Sequence, residues 1–156
     1  MPYDISATGA SVFIRSSKTL PNGITIKQFS DDNDPFSVDN IQIREGAPAL
    51  DGTAVTWGTL GLVTLTVSVI PNSPEDIALR TLWHANRVFP GHTPALDNVT
   101  IVKTLVTGAR TTYSNGYIKD GAPDTSGTSE GRLKTNTYTF EFEKNNVNQE
   151  QTVTTF

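Results

Sequence analysis

Any chemistry in this chain has to come from a short list of side chains. His84 and His92 are the only two histidines, and there is no cysteine. A zinc site takes four ligands at recognisable spacing, and neither histidine has a third ligand placed to begin one. No metal and no cofactor is expected. Asp31, Asp32 and Asp34 crowd three carboxylates into four positions before Pro35. A calcium loop of the EF-hand type also needs a central Gly and a distal Glu, so this run reads as an acidic turn. Glu141 and Glu143 lie two apart on one strand face, with no opposing pair that would divide acid and nucleophile roles. No Gly-x-Ser-x-Gly elbow is present, and Gly58-Thr59-Leu60-Gly61 lacks the lysine of a phosphate loop. The residues predict no enzyme.

Four aromatic residues, Trp57, Trp83, Tyr113 and Tyr117, could line a sugar-binding platform. Trp83 follows Leu79 by one helical turn and is expected in the core. Tyr113 and Tyr117 are left as candidates for a subunit interface, and Trp57 for a contact surface of its own. Charge narrows the partners. Twelve basic against sixteen acidic residues leave −4 and a pI near 5.0. The bases are scattered from Arg15, Lys18 and Lys27 to Arg132 and Lys134, whereas gripping phosphates needs them clustered. Nucleic acid can pass nearby without being held. No apolar run approaches the roughly 18 residues of a membrane span, so no membrane anchor is expected. Residues 1–9 show no basic stretch leading into an apolar one, so no secretion leader is expected either.

The elements that must position these side chains are mostly strands. In LGLVTLTVSVI, Val63, Leu65, Val67 and Val69 alternate with Thr64, Thr66 and Ser68, the period of a strand with one buried face. EDIALRTLWHANRVF then repeats at helical spacing through Ala78, Leu82, Ala85, Asn86 and Phe89, with Leu79 and Trp83 widening the stripe. Ser73 as N-cap, Pro74 at the first helical position, and Glu75 and Asp76 in the first turn predict a helix over about 74–88. Strands are predicted over 10–16 and 24–29, and over 36–44 with a bulge at Asp39-Asn40 where the apolar parity slips. Residues 98–106 and 133–143 complete the strands, with Tyr138, Phe140 and Phe142 inward. Asn115-Gly116 predicts a tight hairpin within 111–120. Residues 45–59 and 121–131 read as long loops. The expectation is one domain over 1–156: an arm at 1–9, a core over 10–143 and a polar tail at 144–156. Its architecture is mainly β, a sandwich or partly closed barrel of about seven strands with one flanking helix.

This order of elements resembles the tail tube proteins of contractile-tailed bacteriophages. The residues that carry the likeness are ITIKQFSDDNDPFSVDNIQI (24–43) and GLVTLTVSVIPNSPEDIALRTLWHANR (61–87), within a similarity spanning about 10–142. The resemblance implies homohexameric rings that join their sheets and stack into a tube, through which double-stranded DNA passes without specific binding. It also implies tail sheath, tape measure and baseplate proteins as partners, and a place in the virion after synthesis in the host bacterial cytoplasm. A related tail component (initiator, hub, terminator or secreted injection-system tube) and a monomeric carbohydrate- or receptor-binding sandwich are the alternatives. Under the tube reading an acidic wall keeps the phosphate backbone from sticking, so Asp31, Asp32, Asp34 and Asp39 are expected to face the lumen. Leu50, Val55 and Trp57, apolar within 45–59, are expected to contact the next ring.

Overall fold

The alternating stretch forms β6 (Val63–Val69), with Val63, Leu65, Val67 and Val69 buried and Thr64 and Thr66 half-buried. α1 (Pro74–Asn86) follows, and its start is built as expected: the Ser73 side chain accepts from the Asp76 backbone N–H at 3.2 Å. Leu79 and Leu82 are its buried apolar residues. The computed structural model describes residues 9–27, 29 and 34–149.

The remaining strands are β1 (Ser11–Ser16), β2 (Ile24–Ile26), β3 (Phe36–Val38), β4 (Arg44–Pro48), β5 (Ala54–Gly58), β7 (Val99–Thr104), β8 (Ala109–Asp120) and β9 (Asn136–Gln149). Six of them join β6 in one seven-stranded antiparallel sheet in the order β2-β1-β7-β8-β9-β6-β3, and β4 pairs with β5 in a separate two-stranded unit. The large sheet is open, since its outer strands β2 and β3 do not pair with each other. Val12, Ile14, Ile26, Leu65, Val67, Ile101, Tyr138, Phe140 and Phe142 from the sheet meet Leu79 and Leu82 of the helix in one core. The fold is mainly β with one flanking helix.

Four local expectations are corrected. Asn115-Gly116 is no hairpin turn, because β8 runs straight through it. Asn115 takes φ 55° and the pair forms a bulge against β7, where the register passes from Ile101↔Tyr113 to Val99↔Gly116. The actual turn lies earlier, closed by Gly108 N–H to Leu105 O at 3.0 Å and Leu105 N–H to Ala109 O at 2.9 Å, with Gly108 at φ 94°. Residues 45–59 are not a loop but most of the β4–β5 hairpin. Its tip is closed by Ala49 N–H to Thr53 O at 2.8 Å. The strand expected over 36–44 stops at Val38 and contains no bulge. Last, β9 continues through Gln149, pairing Lys144–Gln149 with Ser114–Ala109 of β8, where a tail was expected to begin at Lys144.

Candidate assembly surface

The hairpin is exposed along both strands. All ten of its strand residues are exposed, and its two strands pack chiefly on each other. Cross-strand pairing sorts its faces: Glu45 opposes Trp57 and Ala47 opposes Val55, while Arg44 lies across from Gly58 and Gly46 from Thr56. One face therefore carries Ala47, Val55 (55% exposed) and Trp57 (46%), with Glu45 the charged residue among them, joined by Ile43 through the Thr59 N–H to Ile43 O bond of 3.0 Å. The opposite face holds a polar clasp, Arg44 Nη1 to Thr56 Oγ1 at 3.0 Å, among glycine, proline and alanine. Leu50 stands fully exposed at the tip. An isolated two-stranded ribbon is marginal in water, and among the described residues nothing covers its apolar side chains. At the hairpin base, Ile41, Leu60 and Leu62 line an open depression of about 330 Å³ together with Asn40, Gln42 and Glu45. Leu50, Val55 and Trp57 thus share one projecting element.

The other expected site residues are dispersed. Asp34 and Asp39 are exposed at the two ends of the edge strand β3. Asp31 and Asp32 lie outside the described residues. Tyr113 is a correction: at 2% exposure it is core, its ring 5.4 Å from that of Phe142. Tyr117 is exposed, and its hydroxyl donates to Glu141 Oε2 at 2.7 Å beside the Lys119–Glu141 ion pair of 2.8 Å. The bulge explains the split: Tyr113 and Gly116 are buried while Tyr117, an even number of residues from Tyr113, is turned outward. The Lys119 and Tyr117 hydrogen bonds hold the Glu141 carboxyl below its ordinary range. Among the described residues no group of three His, Cys, Asp or Glu is placed to hold a metal, and no helix is long and apolar enough to cross a membrane.

Two buried carboxylates escaped the reading of the sequence. Asp76, fully buried, accepts at Oδ2 from Asn136 Nδ2 (2.9 Å), the Asn72 backbone N–H (3.0 Å) and Arg80 Nη2 (3.1 Å), and at Oδ1 from the Tyr138 hydroxyl (2.7 Å). Arg80 also donates to Thr125 at 2.8 Å, which ties the irregular stretch after β8 to the helix. Burial, then the hydrogen bond and charge of Asp76, push the Tyr138 hydroxyl up from its ordinary pKa. The only signal for Asp76 was its place three residues after the Ser73 cap, which suggests the helix dipole and not a buried hub.

Asp97 does a similar job between β1 and the end of α1. It accepts from Lys18 N–H (2.8 Å), Thr19 N–H (3.0 Å), Thr19 Oγ1 (2.5 Å) and Asn86 Nδ2 (2.8 Å). Burial raises its pKa, but the Thr19 and Asn86 side-chain bonds and the Thr19 and Lys18 amides outweigh it and hold the carboxyl below its ordinary 3.8. A depressed folded-state pKa gives stability that is present above the unfolded value and lost as pH falls through the folded one. Asp97→Asn is therefore expected to cost about 2 kcal/mol at pH 7. The gap from the parent should close as pH drops below about 3.8. Urea melts at several pH values measure it, and a gap that widens in acid would refute the assignment.

Comparison with known proteins bears on what this surface belongs to. The family described as "Tail fiber protein gp32" matches residues 3–146. No curated protein matches the chain in sequence. In fold it is similar to a subunit of the anti-feeding prophage (AFP) baseplate, at TM-score 0.59 and 12% identity over 97% of this chain and 99% of that one. It is also similar to a chain of the PVC sheath-tube complex, an extracellular contractile injection system in the extended state (TM-score 0.54, 13% identity, 96% and 94% covered). A chain of the AFP tube-terminating cap is a third (0.52, 12%, 96% and 93%). At these identities the likeness is one of fold. The match over nearly the whole sequence places this chain, a phage-tail-like protein, in the tail fiber protein gp32 family.

Proposed function

We propose that the chain is a structural, non-catalytic subunit of a contractile tail, building the central tube as stacked hexameric rings. The single observation that carries this reading is the β4–β5 hairpin, a projecting ribbon whose apolar side chains find no cover among the described residues. A second copy supplies that cover in a stacked assembly, where Leu50, Val55 and Trp57 reach into the next ring. The full-length likeness in fold to chains of baseplate, sheath-tube and cap assemblies supports it. Sheath, tape measure and baseplate proteins are then the partners, and double-stranded DNA passes through. Asp34 and Asp39 are exposed, as residues of a channel wall would be.

Negative-stain images of the purified protein test the reading. Hollow tubes or six-fold rings are expected from the parent chain. Deleting residues 45–59 should leave a folded subunit that no longer polymerises, because the deletion removes the hairpin and not the core. Full-length tubes from the deletion variant would end the assignment of the hairpin to ring contact. Isolated rings that never stack would favour a cap or baseplate ring. The family description favours a second reading, a component of the tail fibers. Thin solid rods, or monomers that coat host cells, would support it instead.

A further inference from the structure

The outward side of α1 is unlike a helix face meant for water. Leu79 and Leu82 are buried, and the opposite stripe is Ile77, Thr81 and His84, continued past the last turn by Val88, all exposed. A solvent-facing stripe normally carries several charges. Here residues 77–96 contain no Asp or Glu, and Arg80 is drawn inward by Asp76. Among the other bases of residues 77–119, Arg80 pairs with Asp76, Lys119 pairs with Glu141 and Lys103 lies over the Phe36 ring, so Arg87 is the cation that this stripe presents.

At the end of this stripe the side chains form a row. The Arg87 guanidinium lies 5.1 Å from the centroid of the Trp83 ring and 5.5 Å from that of Phe89. His84 meets Trp83 edge-on at 4.9 Å, and His92 stacks flat on Phe89 at 4.6 Å. Among the described residues no carboxylate forms an ion pair with Arg87. Two aromatic faces restrict the rotamers of an arginine before any ligand arrives, and Arg87 stays exposed between them. A restrained guanidinium with no carboxylate partner among the described residues, beside exposed Val88 and Phe89 and at the far end of the stripe that starts at Ile77, is complementary to a carboxylate flanked by apolar side chains.

We propose that this helix face docks an acidic, amphipathic segment of a partner protein, with a carboxylate on Arg87 and apolar side chains along Ile77 and Val88. A nucleic-acid strand fits less well, because a phosphate track needs several cations in line and this surface offers one permanent one. The proposal concerns the subunit itself and stands apart from ring stacking. The probe is a short peptide of alternating Glu and Leu, titrated into a Trp57→Phe background so that Trp83 is the only indole reporting. Saturable binding is expected, weakened by added salt and about tenfold weaker in Arg87→Glu, the loss of one charge-assisted pair. Val88→Glu should weaken it as well. Both positions are exposed, so thermal melts matching the parent confirm that the variants fold. No saturable change, equal binding by Arg87→Glu, or tighter binding of a single-stranded oligonucleotide than of the peptide would overturn the proposal. None of these outcomes affects whether the chain forms tubes.

Discussion

Asp76→Ala is expected to lower stability by about 3 kcal/mol, the low end for removing one partner of a buried charged pair. Arg80 is 19% exposed and can turn partly to water, which keeps the value low. The alanine leaves the Asn136 amide and the Asn72 N–H without their Oδ2 acceptor and the Tyr138 hydroxyl with only its long bond to Asp76 O at 3.4 Å, and desolvated donors are expensive to strand. For a domain of this size each kcal/mol moves the melting temperature by about 2–4 °C, so calorimetry should register a fall of about 10 °C. Tyr138→Phe removes the bond to Oδ1 and the longer one to the Asp76 carbonyl, and should cost about 1 kcal/mol. If the alanine variant melted within about 2 °C of the parent, the hub would be a surface ornament and not a support. The effect also has a place: Thr125 depends on Arg80, so the segment after β8 should gain amide exchange before the sheet does.

Gly116→Val should be comparably damaging for the opposite reason, excess volume. A β-carbon at Gly116 would run into the Phe142 ring and come within 2.6 Å of Glu141 O. Phe142 is fully buried and backed by Tyr113, so the ring cannot retreat without moving its neighbours. Overpacking of this kind costs about 3 kcal/mol. Gly127→Ala is the matched control, since nothing lies within 4 Å of its added carbon, and it should stay within about 0.5 kcal/mol of the parent. Denaturant midpoints separate the two. Shrinking the obstacle should help: Gly116→Ala with Phe142→Leu is expected to cost less than the two single changes together. Strict additivity would show that the ring is not what Gly116 accommodates.

Gly116 also shows where the sequence stops being legible. An Asn-Gly pair has the same backbone freedom in a hairpin turn and in a bulge, and only the ring of Phe142, 26 positions away, decides between them. The misplacement of Tyr113 followed from that single choice. β6, β9 and α1 were readable because their periods of 2 and 3.6 are local and strong, and Ser73 announces the helix start by itself. The β4–β5 hairpin was missed because Gly46, Pro48 and Gly58 dilute its alternation and it has no core to face. Of the candidate surface, Leu50, Val55 and Trp57 were legible as apolar residues out of place, while the ribbon that presents them was not. Arg87 carried no local signal beyond its type, since its meaning comes from Trp83 and Phe89 on either side.

The place of β9 in the sheet sets an order of events during synthesis. It lies between β8 and β6, so β1, β2, β7 and β8 form one half of the sheet and β6 and β3 the other, and among the described residues the halves are joined only through β9 and a single bridge from Phe29, after β2, to Val69 of β6. On the ribosome every other strand emerges first, and each half waits with an open edge, β8 on one side and β6 on the other. Phe140 and Phe142 arrive with the same segment, so the seam closes and the core fills in one step. Until then the nascent chain exposes two sticky borders, and contact with other nascent chains is a hazard before it is a function.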